Sequence, residues 1–143
     1  MPGPRLLCTF QVEDLYLGLD IASVQEVLRG QAVTRLPLAT EAVRGIINLR
    51  GRIIPAIDLR CCLELEAAPE GAIPASLVVR APEAVSLLVD DVEDVVEIAE
   101  EAIEPIPETM RATTREVLRG VVQRPGRLLL ELDLGRILRT AYA

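Results

Sequence analysis

The sequence GIINLRGRIIPAIDLR, residues 45–60, decides the fold class. From Ile47 to Leu59 every second residue is apolar or glycine, and most polar residues of the run lie between them. Alternation with a period of two is typical of β-strands that bury one face and expose the other. Arg50 and Arg52 flank a glycine in the middle of the run, which indicates a turn between two strands.

The chain contains a second copy of this stretch. Residues 44–59 align with residues 119–134 at an offset of 75 positions. The identical pairs are Arg44/Arg119, Gly45/Gly120, Gly51/Gly126, Arg52/Arg127, Asp58/Asp133 and Leu59/Leu134. A weaker match places residues 19–27 over residues 87–95. Two related β-units are therefore predicted, because aligned glycine, arginine and aspartate residues are more specific than aliphatic residues alone.

The second copy indicates where Arg50 lies in the first. Pro125 followed by Gly126 is the signature of a type II turn, because proline presets φ and glycine supplies the positive φ that comes next. By analogy, Arg50 and Gly51 are predicted as the central pair of a hairpin turn, with Arg50 at the tip. Four side chains are predicted to lie buried beneath that tip: Ile47, Leu49, Ile53 and Ile57.

The flanking segments predict further hairpins and short helices. Hairpins are predicted around Glu13-Asp14 and around residues 81–83. Short helices are predicted over residues 23–30, 40–45 and 133–139. The first of these begins with a capping box between Ser23 and Glu26, and the second begins at a Thr40 cap.

Five residues are predicted to have structural roles at turns and caps. Gly126 occupies its turn, and Gly45 and Gly120 are interpreted as backbone positions that need a positive φ. Asp58 and Asp133, which recur before a leucine at the end of a strand, are interpreted as caps of the turns that follow them.

The predicted fold class is all-β with a few short helices, arranged as two small Greek-key-like barrels. The 143 residues form a single domain in this prediction, with sub-barrels over residues 6–66 and 74–138 and a linker over residues 67–73. Strand exchange between the two barrels is left open.

Composition excludes several classes of function. The net charge of -7 argues against nucleic acid and anionic membranes as partners, since both require a basic surface. The chain has no His and no Lys, which excludes a His-based triad, a phosphoaccepting His, a P-loop and a Schiff-base enzyme. Three cysteines without CxxC spacing, Cys8, Cys61 and Cys62, are predicted as small buried hydrophobic residues. No metal or cofactor is expected.

A cytoplasmic location is expected. The opening MPGPRLLCTF is too short for a signal peptide, and no apolar run reaches the roughly 18 residues that a membrane span needs.

Residues 20–60 resemble the chemotaxis coupling protein family, CheW. The specific signal is the motif GxxNLRGxxxPxxDLR over residues 45–60, and residues 87–107 and 119–138 are similar to the second half of the family. The resemblance implies two five-stranded barrels of the SH3 or OB kind that share a core, and no catalysis. It also implies a scaffold that couples methyl-accepting chemoreceptors to a CheA-like histidine kinase in a signalling array, where other CheW-like subunits are further candidate partners.

The resemblance implies two sets of binding residues. The receptor-binding set is Val24, Glu26, Arg50 and Gly51, and the kinase-binding set is Val92 and Leu138. We expect Glu26 to lie near enough to Arg50 to hold it in place. Purely structural interpretations stand beside these roles, since Arg50 is also explained as a solvated turn residue and Glu26 by its capping box.

Two alternatives remain open. The first is a diverged adaptor that binds receptors but has lost the kinase contact, in gliding, pilus or developmental control. The second is a small-molecule-binding barrel pair or an enzyme.

Overall fold

Strands make up most of the regular structure in the computed structural model, which describes residues 3–36, 41–80 and 82–142. The strands are β1 (Arg5–Val12), β2 (Leu15–Asp20), β3 (Val24–Arg29), β4 (Thr34–Arg35), β5 (Val43–Leu49), β6 (Arg52–Asp58), β7 (Ala75–Arg80), β8 (Ala84–Val89), β9 (Asp91–Ile98), β10 (Leu118–Arg124) and β11 (Arg127–Leu132). The helices are α1 (Leu59–Cys62), α2 (Ala112–Arg115) and α3 (Leu134–Ala141), and 3-10 turns cover Ile21–Ser23 and Glu100–Ala102. The predicted all-β class with short helices is confirmed.

The strands form two sheets. Sheet A has the order β10-β11-β2-β1-β9, and sheet B has the order β3-β7-β8-β6-β5-β4. The hairpin predicted around Glu13-Asp14 is β1–β2, and the one predicted around residues 81–83 is β7–β8, although Ala81 itself lies outside the described residues. The repeated stretches form the hairpins β5–β6 and β10–β11.

The first hairpin of each half of the chain lies in the sheet that the other half mainly builds. Hairpin β1–β2 is flanked by β9 and β11 in sheet A, and hairpin β7–β8 is flanked by β3 and β6 in sheet B. The two sheets therefore do not coincide with residues 6–66 and 74–138, and strands are exchanged between the halves. Residues 67–73 contain no helix or strand and lead into β7.

The sequence repeat reappears in the register of the sheets. β2 pairs in parallel with β11, and β8 pairs in parallel with β6. Glu131 lies opposite Gly18 in the first pair, and Ala56 lies opposite Ser86 in the second. Ser86 follows Gly18 by 68 positions, the same offset that places residues 19–27 over residues 87–95, and Glu131 follows Ala56 by 75 positions. The repeat therefore extends to the way in which the hairpins join their sheets.

The core has three parts. A shared core draws side chains from both sheets and from α1 and α3, among them Phe10, Leu17, Leu77, Leu87, Leu59 and Ile137. A sheet B cluster comprises Ile47, Leu49, Ile54, Ala56, Val78 and Leu88. A sheet A cluster comprises Leu7, Tyr16, Ile98, Val122 and Leu129. Each sheet thus has an apolar cluster of its own and contributes its other face to the core between them.

Two predicted helices are wrong. Asp20, not Ser23, caps the 3-10 turn Ile21–Ser23, because its carboxylate accepts the N–H of Ala22 over 2.9 Å. The residues after Ser23 form β3, whose pairing with β7 outweighs the local capping box. Thr40 lies outside the described residues, and the segment after it enters β5 as a strand.

Gly45 and Gly120 serve close packing and not a positive φ. A Cβ on Gly45 would lie 2.0 Å from the carbonyl oxygen of Thr34, and one on Gly120 would lie 2.7 Å from Cγ2 of Ile103. Each glycine also sits beside a register shift in its hairpin, at equivalent positions of the repeat. The predicted positive φ at these two glycines is therefore wrong, whereas the prediction for Gly126 is confirmed by its φ of 77°.

Both predicted aspartate caps are confirmed. Asp58 accepts the N–H of Arg60 over 3.0 Å at the start of α1, and Asp133 accepts the N–H of Arg136 over 3.1 Å at the start of α3. The predicted terminal helix over residues 133–139 is α3 with its cap.

Candidate functional site

The structure brings Glu26 and Arg50 together across sheet B. Arg50 donates a hydrogen bond from Nη2 to Oε2 of Glu26, and the two side chains form an ion pair. That hydrogen bond and the charge of Glu26 raise the pKa of the Arg50 guanidinium. The Arg50 side chain is 68% exposed and that of Glu26 is 24% exposed, so the pair lies at the surface with Arg50 outermost. The expected proximity of the two residues is confirmed.

The turn that carries Arg50 differs from the one predicted. Arg50 and Gly51 are the central pair between β5 and β6, as predicted, but their φ values are 50° and 85°. Positive φ at both positions is typical of a type I′ turn, which matches the twist of a hairpin. The type II analogy with Pro125-Gly126 is therefore wrong for this turn. The two turns differ at their first central position, because proline cannot take the positive φ that Arg50 has.

The two-residue turn also explains which isoleucines are buried. Because β5 and β6 are joined by two residues, Ile47 lies opposite Ile54, and both belong to the sheet B cluster. Odd positions therefore face the cluster before the turn and even positions face it afterwards. Ile53, predicted as buried, is instead 61% exposed beside the turn. Ile47, Leu49 and Ile57 are buried as predicted.

Val24 does not share a face with Glu26. Glu26 lies opposite Val78, whose side chain belongs to the sheet B cluster, whereas Val24 lies opposite Val79, which belongs to the shared core. A bulge at Gln25 produces this change of face. Val24 is half-buried and packs against the shared core. Three of the four predicted receptor-binding residues, Glu26, Arg50 and Gly51, thus lie together, and Val24 lies on the other face.

Val27 and Ile53 are exposed apolar side chains; the sequence pattern did not single out Val27 and predicted Ile53 as buried. Val27 follows Glu26 on β3, and Ile53 lies opposite Asn48 in the hairpin that carries Arg50. A two-residue turn at Arg50-Gly51 would have predicted an exposed side chain at Ile53, because Ile53 lies three residues after Arg50.

The two predicted kinase-binding residues both pack against the shared core. Val92 is 9% exposed and lies opposite Phe10 in the pairing of β9 with β1. Leu138 is half-buried on α3 and contacts the same core. Val92 therefore has little side-chain surface to offer a partner, while Leu138 keeps part of its own.

A second arginine–glutamate pair lies at the repeat-related hairpin. Arg127 donates from Nη2 to Glu93 over 2.6 Å, and its guanidinium carbon lies 3.6 Å from the centre of the Tyr16 ring. The hydrogen bond to Glu93 raises the pKa of Arg127. Each sheet thus has one edge strand that is tied by a carboxylate to an arginine of the repeat hairpin in the same sheet.

Further ion pairs join the two sheets. Arg60 of α1 binds Asp90 through two hydrogen bonds of 3.0 and 2.6 Å and also lies 3.4 Å from Glu13 in the β1–β2 turn. At the end of β3, Arg29 donates to Asp91 over 2.8 Å, and this hydrogen bond lowers the pKa of Asp91. These contacts tie elements of sheet B to the ends of β8 and β9.

The chemistry of the remaining polar residues is limited. Within residues 3–36, 41–80 and 82–142, no group of three His, Cys, Asp or Glu residues is placed to hold a metal ion. Cys8 and Cys62 are buried, and burial raises the pKa of Cys62 to about 12. Cys61 is half-buried, so the predicted burial holds fully for two of the three cysteines. Over the same described ranges, no helix is long and apolar enough to cross a membrane.

Two interleaved β-sheets with a few short helices and a surface-exposed arginine–glutamate pair define a two-sheet, mostly β protein. The CheW-like domain family matches residues 6–141, and the chain belongs to this family. It is 34% identical over 134 residues to the chemotaxis protein CheW of Rhizobium meliloti, covering 92% of this chain and 86% of that protein. It is 32% identical over 133 residues to the probable chemotaxis protein CheW of Rhizobium etli, covering 92% and 86%.

A solved structure shares the fold. The scaffolding protein TtCheW from Thermoanaerobacter tengcongensis superposes with a TM-score of 0.80 at 29% identity, covering 91% of this chain and 89% of that one. The family assignment and this likeness confirm the predicted resemblance, the predicted all-β class with a few short helices and the prediction of a non-enzymatic protein.

Proposed function

We propose that this chain is a cytoplasmic scaffold that couples chemoreceptors to a CheA-like histidine kinase in a signalling array. The observation that carries the proposal is the Glu26–Arg50 pair, which lies at the surface of a chain matched over residues 6–141 to the CheW-like domain family. Relatives over most of the chain are named as chemotaxis proteins, and the solved relative is titled a scaffolding protein. Further CheW-like subunits are additional partners in this proposal.

The receptor side of the proposal depends on Arg50 and its surroundings. A guanidinium that is two-thirds exposed can donate to carboxylates or carbonyls of a partner while Glu26 limits its motion. Ile53 and Val27 supply exposed apolar surface near the same strands. A charged anchor with apolar neighbours suits the side of an amphipathic helix, which is the kind of surface that a receptor hairpin offers. Val27 lies opposite Leu77 and so shares the face of Val24, whereas Glu26 lies on the other face of β3.

The kinase side of the proposal depends on Leu138. Val92, the other predicted kinase-binding residue, is buried. In this proposal Val92 supports the shared core beneath the partner surface. An adaptor that binds receptors but no kinase is the alternative, because a single half-exposed leucine is a small anchor for a second partner.

The test is a binding experiment with the two partners kept apart. The full chain, Arg50→Ala, Leu138→Asp and Arg127→Ala are titrated against a chemoreceptor signalling-tip fragment and against the kinase regulatory domain. Arg127→Ala is the matched control, because it removes an arginine–glutamate pair from the repeat-related hairpin. We expect Arg50→Ala to lose the receptor alone, Leu138→Asp to lose the kinase alone, and Arg127→Ala to keep the receptor.

Three outcomes separate the possibilities. Wild-type binding to both partners supports the coupling function. Binding to the receptor fragment without the kinase domain overturns it in favour of the alternative adaptor, and binding to neither rejects both. Circular dichroism on each variant distinguishes a lost contact from a lost fold.

A further inference from the structure

The Arg50 turn is fastened by contacts that are separate from the ion pair with Glu26. The N–H of Gly51 donates to Oδ1 of Asn48 over 2.9 Å. Nε2 of Gln31 donates to the backbone oxygen of Asn48, also over 2.9 Å. Asn48 therefore contacts both the turn itself and the loop that follows β3.

The backbone of Arg50 needs such a contact. A residue with a Cβ is unfavourable at φ 50°, and the first central position of a type I′ turn is usually asparagine, aspartate or glycine. Arginine occupies that position here, so its conformation depends on neighbours. Asn48 supplies one of them, because its Oδ1 binds the amide that joins Arg50 to Gly51.

Gln31 makes a further contact with the hairpin, from the loop after β3. In sheet B, β3 is separated from β5 by β7, β8 and β6, so backbone pairing does not connect the two strands directly. The Gln31–Asn48 hydrogen bond bridges them from the side of β3. Because β3 also carries Glu26, the segment that holds the partner of Arg50 is linked to the Arg50 hairpin by this second hydrogen bond.

We infer that Asn48 is a positioning residue for the docking of the receptor. Its side chain holds the left-handed turn, its backbone anchors the hairpin to the loop after β3, and Arg50 is thereby presented with one side on Glu26 and the other toward the partner. This role rests on the proposed function, in which Arg50 contacts the receptor. Asn48 itself need not touch the receptor.

The repeat provides a matched control. Gln123 stands at the position of the second hairpin that corresponds to Asn48, and its exposed amide donates to the backbone oxygen of Arg124 over 3.1 Å. The tip of that hairpin is Pro125-Gly126, whose turn puts only glycine at a positive φ. Removing the Gln123 side chain therefore takes away a comparable amide without releasing a strained arginine.

The experiment uses the full chain as wild type, Asn48→Ala, Asn48→Asp and Gln123→Ala. Affinity for the receptor signalling-tip fragment is measured by calorimetry, and hydrogen exchange of the Gly51 amide is measured by NMR without any partner. Asn48→Ala weakens binding about fivefold, the loss expected from one hydrogen bond, and speeds exchange at Gly51. Asn48→Asp restores both, because a carboxylate accepts the same hydrogen bond, and Gln123→Ala changes neither.

The inference is overturned if Asn48→Ala leaves either the Gly51 exchange rate or the affinity at the wild-type value. It is also overturned if Asn48→Asp behaves like Asn48→Ala. A wild-type chain that ignores the receptor fragment rejects the proposed function instead, and the exchange rates then still decide whether Asn48 holds the turn. Thermal unfolding of all four proteins identifies a variant that has lost its fold.

Discussion

Arg5 Nη2 lies 2.5 Å from Oε1 of Glu131, whose side chain has no exposed surface. Arg5 begins the first strand along the chain and Glu131 lies in the last one, and these two strands flank β2 in sheet A. The repeat-equivalent of Glu131 in sheet B is Ala56, which is also buried but carries no charge. Sheet A thus holds a buried ion pair at a position where sheet B holds a methyl group.

Breaking that pair from the Arg5 side destabilises the fold. Arg5→Ala leaves the buried carboxylate of Glu131 without its cation, and we expect the free energy of unfolding to fall by about 3 kcal/mol. Urea unfolding followed by circular dichroism measures the loss. The double variant Arg5→Met with Glu131→Leu removes both charges and is expected to recover most of it; a double variant as unstable as Arg5→Ala contradicts this explanation.

Glu131 also makes stability depend on pH. Burial raises its pKa above the ordinary value, and the charges of Arg5 and Arg119 act in the opposite direction while those of Asp20 and Glu100 add to the rise. Between the unfolded and the folded pKa the native state holds more protons, so the free energy of unfolding contributed by this group decreases as pH rises through that window. Urea unfolding at several pH values, compared between wild type and Glu131→Gln, measures it. Parallel pH curves for the two proteins rule the effect out.

The two packing glycines differ in what a methyl group would meet. Gly45→Ala drives Cβ into the backbone of Thr34, which cannot move without breaking β4, and we expect a loss of about 3 kcal/mol. Gly120→Ala meets the Cγ2 methyl of Ile103 at 2.7 Å, a side-chain group that shifts more easily than backbone, and the backbone oxygen of Glu104 only at 3.1 Å, so we expect about 1 kcal/mol. Gly3→Ala, with no atom within 4 Å, is the control. Equal losses at Gly45 and Gly120 would refute the distinction.

Arginine is unfavourable at the first central position of a type I′ turn. Thermal stability and receptor binding are therefore expected to respond differently to Arg50→Asn. Asparagine before glycine is a favoured type I′ pair, and we expect Tm to stay the same or rise. The receptor contact proposed for the guanidinium is lost at the same time, a trade of stability against function. Differential scanning calorimetry and receptor binding on one preparation test both halves, and a lowered Tm disproves the first.

Arg60 and Arg29 form ion pairs that differ in their exposure to water. The Arg60 side chain is only 12% exposed and binds Asp90, Glu13 and the backbone oxygen of Glu66, so Arg60→Ala is expected to cost about 2 kcal/mol. Arg29→Ala breaks a pair that is open to water on both sides and is expected to change stability little. Chemical denaturation of the two variants in one buffer compares their losses in the free energy of unfolding. A larger loss for Arg29→Ala than for Arg60→Ala contradicts the prediction.

Features that depend on a few neighbouring residues were predictable from the sequence. The hairpin tip at Arg50-Gly51, the aspartate caps and the turn glycine Gly126 all depend on the chemistry of two to four residues. The Glu26–Arg50 pair was anticipated through the resemblance to a known family, since the two residues are far apart along the chain and close only in the fold.

Features that depend on distant partners were not predictable in the same way. β3 looked like a capped helix because its strand partner β7 lies about fifty residues further on. The bulge at Gln25, which sends Val24 and Glu26 to opposite faces, leaves no mark in the alternation. Gly45 and Gly120 looked like turn residues because the atoms that crowd them, backbone at Gly45 and chiefly a side chain at Gly120, come from another segment.

The interleaved hairpins also constrain the order in which the chain can fold. Tyr16 pairs with Leu129, so β2 acquires its parallel neighbour only when residues near the other end of the chain have been synthesised. Until then the earliest hairpin has one side of its sheet open, and such long-range closure makes folding slow. A nascent chain of this protein must therefore hold its first hairpin on the ribosome without β9 and β11, its neighbours in the sheet, until those strands emerge.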